Sequence, residues 1–429
     1  MLKWIKDKLG SRMGHDVVWT FSIQLLIMIC SFAINKLLAN RLSMDDFGQY
    51  NVIKRSVQVL SFIMLAGVGI TLPRYIPLFR NSNPPQRIAP LMSVASIYII
   101  GVSLVVFFFC ICFYPLVGDI IIGESNNLKL LIVALTYAFI LTVSQYVFAY
   151  YRGIGDFKWY NGTQLAMQLL IVTPLIALPL LSVERVFIAW LLISILIVIC
   201  LISRELRGKR LSLTLQSSLF KTLIKYSAGR LIADFFQYSL AAFPLIYISN
   251  IQGLKTTAYF SVGIFFVTMV TPIFSFMGII LLPYVSKVLA RNKMAIANRL
   301  VNHLAIIYIG ASLLFISFIY IFTEPLTSLL FSSDYIETKH QTRIMILSIL
   351  PQALYMLYRN TIDAVSVIPY NAIFLGACLG GMIIGFMLSS TLTHYAWAYL
   401  AVSTLQGILA WGVWTILCRN IKNNYTTTH

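Results

Sequence analysis

The chain has 429 residues, 59% of them hydrophobic and only 11% charged, and it carries a formal net charge of +18. A soluble domain holds about a quarter charged residues because its surface faces water, so a mean hydropathy of +0.84 excludes a water-soluble globular enzyme. The basic excess also does not indicate nucleic acid, because its placement along the chain follows membrane topology, as set out below.

In hydrocarbon only helices and closed barrels satisfy their own backbone. Barrel strands alternate apolar and polar residues, whereas the apolar runs here are continuous, as in IYIIGVSLVVFFFCICF at 97–113. The pattern predicts an all-α integral membrane protein. The opening residues, MLKWIKDKLGSRMGHD, are basic and amphipathic with no small-residue cleavage site, which argues against a cleaved signal peptide. At about 20 residues per span, about twelve spans follow. They are predicted at 16–37, 52–72, 90–113, 128–150, 160–181, 185–203, 226–248, 257–285, 299–322, 342–359, 370–391 and 395–418. Pro174 in the fifth and Pro272 in the long eighth predict kinks. The longest polar connection, 204–225, joins an N-terminal lobe (1–207) to a C-terminal lobe (208–429). The six cysteines lie in or beside apolar spans without CxxC spacing, as small hydrophobes do.

With the N-terminus in the cytoplasm, 22 of the 32 Lys and Arg fall on the inner side and nine on the outer side. Arg230 alone lies within a span. The positive-inside rule therefore puts both termini in the cytoplasm.

Segments of the two halves match each other. FGQYNVIKRSVQVLSFIMLAGVGITLPRY (47–75) aligns with AYFSVGIFFVTMVTPIFSFMGIILLPYVSK (258–287). Tyr50 then meets Tyr259 and Gly69 meets Gly278 at an offset of 209, with Pro73 opposite Pro283 after one inserted residue. QYVFAYYRGIGD (145–156) aligns with QALYMLYRNTID (352–363) at an offset of 207. That register pairs Gln145, Tyr151, Arg152 and Asp156 with Gln352, Tyr358, Arg359 and Asp363. Two six-span halves in the same orientation form a parallel repeat, a transporter architecture.

These segments carry a family resemblance over nearly the whole chain. RLSMDDFGQYN followed by GVGITLPRYIP resembles the first hairpin of polysaccharide flippases. TTAYFSVGIFF with GIILLPYVSKVLARNK resembles their second-half hairpin. Those proteins form the O-antigen branch of the multidrug/oligosaccharidyl-lipid/polysaccharide exporter superfamily. The resemblance implies two six-helix lobes in a V shape, like that of the multidrug branch, around a central cavity. It implies as substrate an undecaprenyl-diphosphate-linked oligosaccharide repeat unit, turned from the cytoplasmic to the periplasmic leaflet of the bacterial inner membrane for O-antigen or other surface polysaccharide. Polysaccharide polymerase machinery is a partner on the same reading. Lipid II flippases of the superfamily usually carry extra helices for which twelve spans leave no room.

Ionisable groups in a bilayer centre cost at least about 2.5–3.5 kcal/mol each, so each requires a reason. Arg230 and Asp234 are spaced i,i+4 in the seventh span, with Gln237 on the same face. They offer a cavity an arginine for diphosphate or acidic sugar and a carboxylate for proton coupling, or else they neutralise each other within the helix packing. Lys54 and Arg55 precede Gln58 at the outer start of the second span, where they line an exit vestibule or snorkel to headgroups. Arg152 with Asp156, and Arg359 with Asp363, repeat at cytoplasmic span ends and read as structural or gating pairs. Gln24, Gln145, Gln164, Gln168 and Gln352 suit sugar hydroxyls or interhelical hydrogen bonds. Tyr146, Tyr150, Tyr238 and Tyr355 suit stacking on sugars or plain packing.

His303 and His394 have no companions at ligand spacing, so neither a metal site nor catalytic residues are expected. No GxxxxGK[ST] loop is present, which leaves an ion gradient, H⁺ or Na⁺, as the driver and no bound cofactor. Two other functions compete. An ion-coupled multidrug antiporter would want an acidic cavity. A membrane glycan polymerase or ligase would need a large charged outer loop, whereas 323–341 is short.

Overall fold

A helix satisfies its backbone hydrogen bonds within its own segment, which is what a bilayer demands; no strand occurs among the described residues. The computed structural model describes residues 12–80, 88–124, 126–177, 182–206, 217–289, 294–366 and 370–426. The basic N-terminal segment before Arg12 and the expected lobe junction at 207/208 lie outside them.

The first series runs α1 (Arg12–Arg41), α2 (Met44–Leu65), α3 (Val68–Arg80), α4 (Ala89–Cys112), α5 (Leu116–Ile122), α6 (Leu128–Ile154), α7 (Phe157–Ala177) and α8 (Val183–Leu206). The second runs α9 (Ser217–Gln252), α10 (Leu254–Leu289), α11 (Met294–Ile321), α12 (Thr323–Leu330), a 3-10 turn (Ser333–Thr338), α13 (Lys339–Ile346), α14 (Ile349–Val365), α15 (Tyr370–Met387) and α16 (Leu392–Thr426). The series correspond in order. Each has a long first helix, and each has a short helix after its third span, α5 in one and α12 in the other. All twelve expected spans fall on a helix or a bent pair.

Eight described helices are long and apolar enough to cross a membrane alone, and α2 with α3, bent by 41°, makes a ninth. The protein is a multi-pass membrane protein. The expected fifth span, α7, falls short because Asn161, Gln164 and Gln168 dilute its hydropathy. Outer helix faces are apolar and exposed: Leu104 is 64% exposed and Phe108 72% on α4, and Ile306 is 68% and Leu314 67% on α11. Such faces require lipid.

Two expectations on local structure, for the second span and the outer connection, are corrected. The second span does not run straight from 52 to 72; it starts at Met44 and breaks at Ala66–Gly67. Both residues adopt left-handed backbone, with φ of 48° and 78°, which ends α2 and restarts the chain as α3. The eighth span, with Pro272 inside it, runs as one continuous helix from Leu254 to Leu289. The outer connection 323–341 is no loop: it folds into α12, the 3-10 turn and the start of α13.

The chain divides into two units, Met1–Leu231 with Ser249–Leu254, and Ile232–Ile248 with Lys255–His429. In the first, Leu65, Val68, Leu72 and Ile76 recur every three or four residues and pack on Leu91, Val94 and Ile99 of α4 and Ala149 of α6. In the second, α14 packs on α11 and α16, and α15 on α16. Lipid is as apolar as the helices, so small residues that let backbones approach take over from the hydrophobic effect. At Gly407 on α16 a Cβ would lie 2.9 Å from the Pro351 carbonyl oxygen of α14.

Gly407→Val forces that backbone contact apart. It is expected to destabilise the protein by about 1–3 kcal/mol, the usual cost of overpacking, with Gly407→Ala intermediate. Thermal unfolding in detergent measures the series, and a Gly407→Val protein as stable as the parent contradicts the contact.

Candidate functional site

Five helices of the first unit turn one face each toward a shared cavity of about 360 Å³. The lining residues are Gln24, Ile27, Ser31 and Ile34 from α1, and Tyr50, Lys54, Val57 and Gln58 from α2. Tyr137, Leu141, Gln145 and Phe148 come from α6, Gln164, Met167, Gln168 and Ile171 from α7, and Phe187 and Trp190 from α8. Within each helix these recur every three or four positions, the spacing that puts side chains on one face.

Amides dominate the polar part. The Gln24 Nε2 donates to Gln164 Oε1 at 2.9 Å, and Gln168 Nε2 donates to Ser31 Oγ at 3.2 Å. These bonds tie α1 to α7 and still leave an amide N–H₂ on Gln164 and a carbonyl on Gln24 for another partner. Arg55 does not line the cavity. Its guanidinium donates to Gln58 Oε1 at 3.3 Å, turning the Gln58 amide into a donor for the interior.

An aromatic wall closes one side. Tyr50 meets Trp190 edge-on at 5.8 Å between ring centroids, and Phe187 meets Trp190 at 5.6 Å. The Trp190 indole N–H is spent on the Ile171 carbonyl at 3.0 Å, which fixes the ring. Tyr50 is fully buried, and its hydroxyl has no hydrogen-bond partner. A buried hydroxyl left this way calls for an explanation.

Lys54 is the cation of the cavity. Its ammonium lies 5.4 Å from the Tyr50 ring centroid, a weak cation–π contact. No ion pair joins it to a carboxylate among the described residues, and no acidic residue lines the cavity.

The repeat register places Tyr259 at the position of Tyr50 but Gly263 at that of Lys54 and Val267 at that of Gln58. In the second unit a side chain at Gly263 would collide with Met345. Gln352, the counterpart of Gln145, is committed to Tyr399 at 3.0 Å and Ser403 at 3.3 Å.

The other expected residues are placed differently from their sequence pairing. The side chains of Arg230 and Asp363 lie outside the described residues. Asp234 Oδ1 accepts from Arg359 Nη2 at 2.8 Å, joining α9 to α14 in the second unit. One turn away, Tyr355 donates its hydroxyl to Gln237 Oε1 at 2.7 Å. The two contacts form a ladder between the helices.

Arg152 likewise reaches across. Pro73 has no N–H to give the carbonyl four residues back, so Gly69 O is left open, and Arg152 Nη2 donates to it at 2.8 Å. Asp156 instead caps α7, accepting from the Trp159 N–H at 3.1 Å. Tyr146 bonds the Met92 carbonyl, and Tyr150 and Tyr151 bond Glu205, so these tyrosines act as structural ties. Trp190, Tyr137 and Phe187 were not singled out from sequence; their three- and four-residue spacing was present, but apolar spans offer many such stripes.

A sequence model of the polysaccharide biosynthesis protein family matches residues 13–289. No curated protein sequence matches the chain. Among solved structures, the fold is similar to an inward-facing multidrug resistance MATE family transporter of the MOP superfamily. The TM-score is 0.74 at 13% identity, over 95% of this chain and 99% of that one. It is similar also to the lipid II flippase MurJ in an inward closed conformation (TM-score 0.72, 12% identity, 96% and 93% covered). A Vibrio cholerae MATE transporter, VcmN in its bent form, superposes at 0.62 with 14% identity, over 95% and 98%.

Two substitutions test the structural pairs. Arg152→Ala leaves the buried Gly69 carbonyl without its donor and, with Arg152 itself exposed, is expected to cost about 0.5–1.5 kcal/mol, the usual net worth of a hydrogen bond. Arg359→Ala strands Asp234, which is only 16% exposed, at a cost of about 2–3 kcal/mol after allowing for partial exposure. The double exchange Asp234→Arg with Arg359→Asp should recover part of that loss in thermal unfolding; a double exchange no better than the single variant refutes the pairing.

Proposed function

This chain belongs to the polysaccharide biosynthesis protein family, and we propose that it is a flippase for undecaprenyl-diphosphate-linked oligosaccharide repeat units. It turns them from the cytoplasmic to the periplasmic leaflet of the bacterial inner membrane by alternating access. It supplies O-antigen or another surface polysaccharide and hands its product to a polymerase. Its work is transport, with no covalent step, and both termini face the cytoplasm.

The observation that carries this reading is the amide-lined cavity of the first unit, with Lys54 as its cation and no carboxylate on its walls. Amides and hydroxyls match sugar hydroxyls, and an uncompensated ammonium favours an anionic cargo. A cation antiporter needs the opposite sign, so the drug-export reading is disfavoured. The likeness in fold to MurJ, a lipid II flippase, supports a lipid-linked cargo. An H⁺ or Na⁺ gradient drives the cycle, and Arg230 in α9 contacts the diphosphate.

Deleting the gene and profiling undecaprenyl-linked glycans by mass spectrometry tests the proposal. A repeat unit should accumulate on its carrier at the cytoplasmic face while surface polysaccharide falls. Complementation should fail with Arg230→Ala and return in part with Arg230→Lys. Unchanged amounts and sidedness of every carrier-linked glycan overturn the flippase reading.

A further inference from the structure

Taking the transport reading as its premise, we infer that the cavity of the first unit is a subsite for one acidic sugar ring, a hexuronate, with Lys54 reading its carboxylate. Four features support this.

The first is size. About 360 Å³ lies at the low end of ligand pockets, which suits one ring and not a whole repeat unit. The second is charge. The diphosphate of the carrier is common to every cargo, so a cation reserved for it would be expected outside a single-ring pocket. Lys54 instead sits on the inner face of α2, in register with Tyr50, Val57 and Gln58. It has no carboxylate partner among the described residues, and a bilayer makes such a charge costly unless an anion visits it.

The third is the neighbouring chemistry. The Gln24–Gln164 pair presents both an N–H₂ and a carbonyl, the donor and acceptor that a ring hydroxyl needs together. The buried Tyr50 hydroxyl, without a partner, adds one more group for a ring oxygen or hydroxyl. The aromatic wall offers apolar surface to the C–H face of a pyranose. The fourth is the asymmetry of the repeat. Gly263, at the counterpart of Lys54, is packed against Met345, so the duplication alone did not require a cation here.

The test uses the full-length protein in nanodiscs of zwitterionic lipid, with Trp190 as reporter. Quenching of tryptophan fluorescence is titrated with sodium glucuronate, with glucose and with inorganic pyrophosphate; Trp190→Phe identifies the signal. Glucuronate is expected to half-saturate at a concentration at least about tenfold below glucose, the effect of one added charge-assisted hydrogen bond. Lys54→Gln should bring that ratio to about one, and Lys54→Arg should keep most of it. Equal binding of glucuronate and glucose by the parent overturns the inference, as does Lys54-dependent binding of pyrophosphate tighter than that of glucuronate. Glucuronate selectivity in a protein whose deletion leaves carrier-linked glycans unchanged keeps the pocket and sinks the transport premise. An altered glycan profile without selectivity does the reverse.

Discussion

Water is absent from the hydrocarbon layer, so every polar group in the spans has to find its partner in the protein. Much of this structure follows from how that demand is met. Pro73 withholds an N–H from Gly69 O, and an arginine from α6 supplies the missing donor. Pro174 does the same to the Leu170 carbonyl, which takes the Thr173 hydroxyl at 2.7 Å. Thr142 bonds both its own turn at Ala138 and the Ser61 carbonyl of α2. Each exception to regular helix is thus also a tie, either within a turn or between helices.

Against this background the cavity of the first unit stands out because its polar groups are incompletely answered. The amides are half used, the Tyr50 hydroxyl is unpaired and Lys54 faces no acid. Such a surplus is costly in a folded membrane protein unless a ligand or water shares it. The second unit differs at the matching positions: Gly263 lies against Met345, and the Gln352 amide nitrogen donates to both Tyr399 and Ser403.

The charges divide into two kinds. Asp234 with Arg359, and Arg152 with the Gly69 carbonyl, are answered across helices and hold neighbours together. Lys54 is not answered in this way. The division separates residues whose loss should weaken the fold from one whose loss should alter what is bound.

The sequence by itself determined the membrane environment, the helical spans and the duplicated order of elements, because composition and apolar run length are set by the solvent each residue must face. It also drew the eye to the polar residues of the spans, since any Lys, Arg, Asp or Gln there stands out. It did not determine who meets whom. Spacing along one helix suggested Asp156 for Arg152, yet Arg152 meets a carbonyl opened by a proline, and no spacing pointed to Arg359 for Asp234. It equally could not show that Gln145 lines the large cavity while the Gln352 amide nitrogen is tied to Tyr399 and Ser403, although the two match in the repeat. Those outcomes depend on which helix faces pack together, and on whether a facing residue is as small as Ser31 or as bulky as Met345. Only tertiary packing decides that.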